Sequence, residues 1–175
     1  MTPRTAARDV ATVGLMVAAI EACKLVMQAM PNIEMTSFLI ILFTLSYPRL
    51  TLYAIPAFTL IEGMLYGFGI WWVMYLYAWP LLALITRAFS RSDSAFFWAF
   101  VSGVFGLLFG LLCSLPYFFI GLPGGLASGL RQMLAWWIAG IPYDLIHGVS
   151  NFALMLALYR PISNLLQRMP QITGI

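Results

Sequence analysis

Charge is what this sequence has least of. Lys, Arg, Asp and Glu make up 9% of its 175 residues, with one histidine and two cysteines, while 62% of the residues are hydrophobic and 15% aromatic. A soluble domain of this length could not bury so much apolar surface, so the solvent of this chain is lipid. The net charge of +3 comes from basic residues dispersed at segment ends, with no patch of the kind that binds nucleic acid. Cys23 and Cys113 fall in apolar segments without CxxC spacing, which argues against a structural disulfide or zinc site and leaves them as small packing residues. A single histidine rules out HExxH zinc chemistry and bis-histidine haem ligation within one chain, and no Walker or GxSxG motif is present. No cofactor is expected.

What is there is long and apolar. Residues 63–86 and 94–130 carry no charge, and each run exceeds the roughly 20 apolar residues that a spanning helix needs. Neither shows the alternating polar residues of a barrel strand. Breaks by Pro, Gly and charge divide the chain into six helical segments at about 8–30, 35–47, 51–67, 70–87, 94–115 and 140–159, an all-α membrane protein with one domain over 1–175. The second segment would rise only about 20 Å, so it must be tilted or shielded by its neighbours. An unbroken helix over 130–159 would run about 45 Å, well beyond a hydrocarbon core of about 30 Å. A break is therefore expected at Gly140–Pro142, since proline suits a helix's first turn, with 126–139 a separate extracellular or interfacial element. Arg4 and Arg8 before the apolar run 10–20 imitate a signal peptide, but Glu21 and Lys24 stand where cleavage would fall, so this run is expected to be the first membrane helix.

Six spans place both termini on one side, together with Arg49 and the 87–91 loop. Seven of the nine basic residues, Arg4, Arg8, Arg49, Arg87, Arg91, Arg160 and Arg168, then share that side, which the positive-inside rule makes the cytoplasm.

An ionisable side chain in hydrocarbon costs a few kcal/mol even on lenient insertion scales, so each one should face protein or a water-filled cavity. Glu21, Lys24, Glu34, Glu62, Asp144 and His147 meet that description. Glu21 and Lys24, one turn apart, are expected to pair with each other. Glu34 falls in a short outer loop and Glu62 near the outer end of the third helix. In AGIPYDLIHGVSN, residues 139–151, Asp144, His147 and Asn151 share one helical face. They either satisfy one another and a neighbouring helix or form one wall of a binding site with Glu34, Glu62 and Arg131, all near the outer end. Aromatic residues crowd the same end. Most suit an interfacial belt, and Trp72, Tyr75, Trp79, Tyr117 and Trp137 are candidate walls for a flat heterocycle or an amine. Gly14, Ala18 and Ala22, at spacings of four on the first helix, form a groove for close helix approach, inside the bundle or against a partner.

The chain resembles the substrate-binding S component of an energy-coupling factor (ECF) transporter, through PNIEMTSFLIILFTL, EGMLYGFGIWWVMYLYAWP, GLLFGLLCSLPYFFIG and WWIAGIPYDLIHGVSNF, along with its length and six-helix pattern. The resemblance implies a multi-pass protein of a prokaryotic cell membrane that captures a small water-soluble vitamin or related heterocyclic micronutrient at its outer face. It implies docking through Gly14, Ala18 and Ala22 onto a transmembrane coupling protein bound to two ATPase subunits, which hydrolyse the ATP. Gly14 stands where the family usually has alanine. The expected role is a carrier rather than an enzyme. The alternatives are an intramembrane enzyme using Asp144, His147 and Glu62 on a lipid-linked substrate, a solitary facilitator, or a structural membrane subunit.

Overall fold

The computed structural model describes residues 3–168, with side chains from residue 6 onward except 167. Arg4, counted above with the basic end, lies outside the described side chains, and 1–2 and 169–175 lie outside the described residues. Within them the chain is all-helical, without strands: α1 (Pro3–Met27), α2 (Thr36–Ser46), α3 (Pro48–Tyr66), α4 (Ile70–Ala88), α5 (Ala95–Gly121), a 3-10 turn (Leu122–Gly124) and α6 (Leu126–Arg168). α1, α4, α5 and α6 are long and apolar enough to cross a membrane, which makes this a multi-pass membrane protein.

α2 explains how a short apolar helix is tolerated. At 11 residues it rises about 16 Å, too little to span. Its residues from Thr36 to Thr44 are all buried, and it touches each of the other five helices. A helix apolar on every side belongs in the centre of a bundle, and α2 occupies that place. α1 is one-sided by contrast: Met16, Val17 and Ile20 are buried, while Val10, Leu15, Leu25 and Val26 are exposed.

Two expected breaks are absent. α5 runs through Pro116 to Gly121, and α6 is one continuous helix of 43 residues through Pro142 and Pro161, so 126–139 is not a separate element and the last helix does not begin at Gly140. In an apolar solvent a broken helix leaves several backbone groups without partners, whereas continuing past a proline forfeits one bond. Pro116 shows how that single loss is repaired. It has no N–H for the Leu112 carbonyl one turn back, and the Tyr77 hydroxyl of α4 donates to that carbonyl at 2.7 Å.

The stretch beyond the expected end of the fifth helix at 115 is helical to 121, and the connection to α6 closes in the turn around Gly125, whose φ of +92° favours glycine. α5 and α6 then pack on each other more extensively than any other pair. Glycine makes that closeness possible: a Cβ on Gly106 would lie 2.9 Å from the Gly148 Cα, and one on Gly121 2.8 Å from the Gly129 Cα. A helix of this length rises about 65 Å, and its first half packs on α5 near Gly121.

Candidate functional site

The loop over 28–35 between α1 and α2 begins the site. Asn32 adopts a left-handed φ of +59°, a conformation asparagine tolerates better than most residues. The turn brings Glu34 to the start of α2, where its carboxylate accepts from the Thr36 N–H at 2.7 Å, the Ser37 N–H at 3.3 Å and the Ser37 hydroxyl at 2.9 Å. It thereby satisfies backbone donors that a helix N-terminus leaves open and complements the helix dipole. The same carboxylate meets His147 of α6, with Nε2 3.1 Å from Oε1. Burial pushes the Glu34 carboxyl up, but the His147 bond and charge, with the Thr36 and Ser37 bonds, outweigh it and hold the group at about 2. An ionised carboxylate only accepts, so His147 Nε2–H is the donor. Ser150, one turn further along α6, donates to the Asn32 carbonyl at 3.2 Å. The loop is thus fastened to α6 at two points.

A second ion pair lies across from the first. Lys24 of α1 does not settle on Glu21 as its spacing suggests; it reaches across to Glu62 of α3 and also donates to the Tyr75 hydroxyl of α4 at 3.2 Å. Its ammonium stands 5.4 Å from the Phe58 ring centre and 5.2 Å from that of Tyr75, within cation–π range. The reason is burial. Glu62 is 1% exposed, and an unpaired carboxylate there would be far more costly than one on the half-buried Glu21.

Between these pairs lies a cavity of about 450 Å³. Its floor and rim come from Lys24, Glu62, Glu34 and His147, with the 30–34 stretch of the loop closing one side. Its aromatic wall is built on α4, where Trp71, Tyr75 and Trp79 recur every four residues and so share one helical face. Tyr75 meets Trp71 and Trp79 edge to face at 5.4 and 5.3 Å. Phe109 of α5 continues the wall, 5.3 Å from Trp79 and 5.0 Å from the His147 ring.

Of the residues expected at a site, Glu34, Glu62, Tyr75, Trp79 and His147 converge here. The others lie elsewhere. Trp72 donates its indole N–H to the Thr59 carbonyl at 2.7 Å, Tyr117 stacks on Trp136 at 4.9 Å, and Arg131 is exposed near the start of α6. Asp144 does not satisfy His147. It accepts from the Gly110 N–H at 2.9 Å, with Trp137 beside it, and Asn151 faces the Ser102 carbonyl at 3.5 Å. These residues belong to the α5–α6 seam. The enzyme alternative needs Asp144, His147 and Glu62 together, and only the last two reach the cavity.

Lys24, Trp71 and Phe109 were not anticipated in the wall. The four-residue spacing with Tyr75 and Trp79 would have selected Trp71 over Trp72; Phe109 carries no polar signal at all. Gly14, Ala18 and Ala22 are exposed side by side on α1, and a Cβ on Gly14 would meet nothing within 4 Å. No family model, curated protein or solved structure matches this chain.

Proposed function

We propose that this protein is the substrate-binding S component of an ECF-type importer in a prokaryotic cell membrane, capturing a small water-soluble micronutrient for ATP-driven uptake. The observation that carries this reading is the cavity: about 450 Å³, walled by aromatic rings and edged by the Lys24–Glu62 pair and the Glu34–His147 hydrogen bond, in a chain otherwise committed to lipid. Cavities of this size hold small organic molecules, with a few polar groups fixing orientation. With the six helices alternating in direction and both termini cytoplasmic, Arg8, Arg49, Arg87, Arg91, Arg160 and Arg168 lie toward the inner side and the cavity opens outward. The uncovered face of Gly14, Ala18 and Ala22 fits docking to a transmembrane coupling protein carrying two ATPase subunits, because small residues allow close helix approach.

Titration of the purified protein with vitamins, nucleobases and amino acids, followed by tryptophan fluorescence, tests the reading. At least one compound should change the emission of the wild type and not that of Glu34→Ala. Turnover of a lipid-linked substrate by the isolated chain, or uptake in cells without any coupling module, would overturn it. For docking, Ala18→Leu should abolish co-purification with the coupling module while ligand binding survives.

A further inference from the structure

The cavity's ammonium and its imidazole are both engaged, Lys24 with Glu62 and Tyr75 and His147 with Glu34. An anionic ligand would have to draw Lys24 away and leave the buried Glu62 carboxylate without its cation, which is strongly unfavourable. Carboxyls outnumber ammonium groups here: Glu34 and Glu62 line the cavity, and Glu21 shares a hydrogen bond with Glu62 as a third carboxyl beside Lys24. The Trp79 indole N–H is buried without a partner, on a residue only 2% exposed. Buried polar atoms are rarely left unpaired, and the Trp79 N–H, on a residue that lines the cavity, would be completed by an acceptor. The rest of the wall is ring faces and edges. Lys24 already shows that this corner stabilises a positive charge, through Glu62 and the Phe58 and Tyr75 rings together.

We infer that the cavity takes a flat heteroaromatic cation bearing a hydrogen-bond acceptor, with Glu62 and the Trp71, Tyr75 and Trp79 rings reading the charge and the Trp79 N–H reading the acceptor. The inference rests on the binding-subunit reading above and names the ligand class for that same cavity. Such a ligand leaves both the Lys24–Glu62 pair and the Glu34–His147 hydrogen bond in place.

Three probes with one ring skeleton and three charges test it by calorimetry on the detergent-solubilised full chain: nicotinamide methylated on its ring nitrogen (cation), nicotinamide itself (neutral) and nicotinate (anion). The cation should bind on the order of tenfold more tightly than the neutral probe, and the anion most weakly. Trp79→Phe keeps a ring and removes the N–H, so it should weaken the cation and the neutral probe alike and leave their ratio unchanged. Glu62→Gln should erase the ratio. The wild-type titrations decide the matter even if Glu62→Gln does not fold. Equal or tighter binding of nicotinamide or nicotinate overturns the inference and leaves the binding-subunit reading standing, since a ligand still enters. Failure of all three at millimolar concentration also overturns it, and the broader micronutrient titration then decides the function separately. An undiminished cation preference in a folded Glu62→Gln protein would remove Glu62 from the recognition.

Discussion

The cavity end of the bundle and the end near Asp93 hold the same kinds of residues in different states. Near Asp93, the Trp98 indole N–H is fully buried and donates to the Ser92 carbonyl at 3.0 Å, and the Tyr159 hydroxyl donates to Asp93 at 3.3 Å. Arg160 bonds the same carboxylate at 2.8 Å with both side chains largely in the open, 56% and 70% exposed. At the cavity end, Trp79 is as deeply buried as Trp98 but its N–H has no partner, and Lys24 pairs with a carboxylate whose side chain is 2% exposed. A tryptophan and an ion pair at one end complete the packing. At the other they border a cavity of about 450 Å³ onto which aromatic rings, carboxyls and an ammonium converge, and that difference, more than the residue types, marks the place where a ligand belongs.

The sharpest way to break the contrast is Glu62→Ala. It removes the buried partner and leaves the Lys24 ammonium facing aromatic rings, with the Tyr75 hydroxyl and the neighbouring Glu21 carboxyl as the remaining acceptors. Breaking a buried pair from one side costs about 3–5 kcal/mol, and because Lys24 is 23% exposed and can turn toward the cavity, the expected loss is near the lower figure. Thermal unfolding in detergent measures it. A loss below about 1 kcal/mol would put this pair in the class of surface bridges.

Glu34 offers a smaller effect with a signature in pH. Its folded carboxyl is held at about 2 against an ordinary value of 4.5, so its contribution is complete above 4.5 and is lost as the pH falls through 4.5 toward 2. Glu34→Gln should destabilise the protein by about 1–3 kcal/mol at neutral pH, through the weakened start of α2 and the loss of the charged acceptor for His147. Melting curves of wild type and variant should converge as the pH approaches 2. A gap that stays constant over that range would show that the carboxylate charge is not what holds the loop.

How much of this was legible in the sequence depends on what each residue's neighbours are. The apolar runs announce six helices because lipid demands it, and the helix starts at 36, 70 and 95 fall within a residue of expectation. Pro116 and Pro142 mislead for the same physical reason, since in an apolar solvent the helix continues past them and borrows a donor such as the Tyr77 hydroxyl. Glu34, Glu62 and His147 are legible as charges that lipid cannot hold. Their pairings are not, because spacing along one helix sees Glu21 beside Lys24 and Asp144 beside His147, whereas the pairs that form cross from α1 to α3 and from the first loop to α6. Asp144, His147 and Asn151 do share a face of α6. That face meets the glycine seam of α5 at both ends and the cavity only in the middle, a division that depends on where Gly110 and Ser102 stand on the opposing helix.

The smallest expected effect sits near Arg160 and sharpens the comparison from below. Asp93→Asn removes a charge from a pair of good geometry, 2.8 Å from Arg160 Nη1 to Oδ2. Distance alone would make it as important as Lys24–Glu62. Exposure decides otherwise: water solvates both partners when they separate, salt screens them, and two long side chains lose freedom when they meet. The amide oxygen of the variant would still accept a hydrogen bond from the Tyr159 hydroxyl, so no buried group is orphaned. The melting temperature should therefore stay within the range of about 0.5 kcal/mol in stability, and raising the salt concentration should shrink even that. A change as large as that of Glu62→Ala would mean that this end is held by its charges rather than by Trp98 and its neighbours, and the contrast between the two ends would collapse.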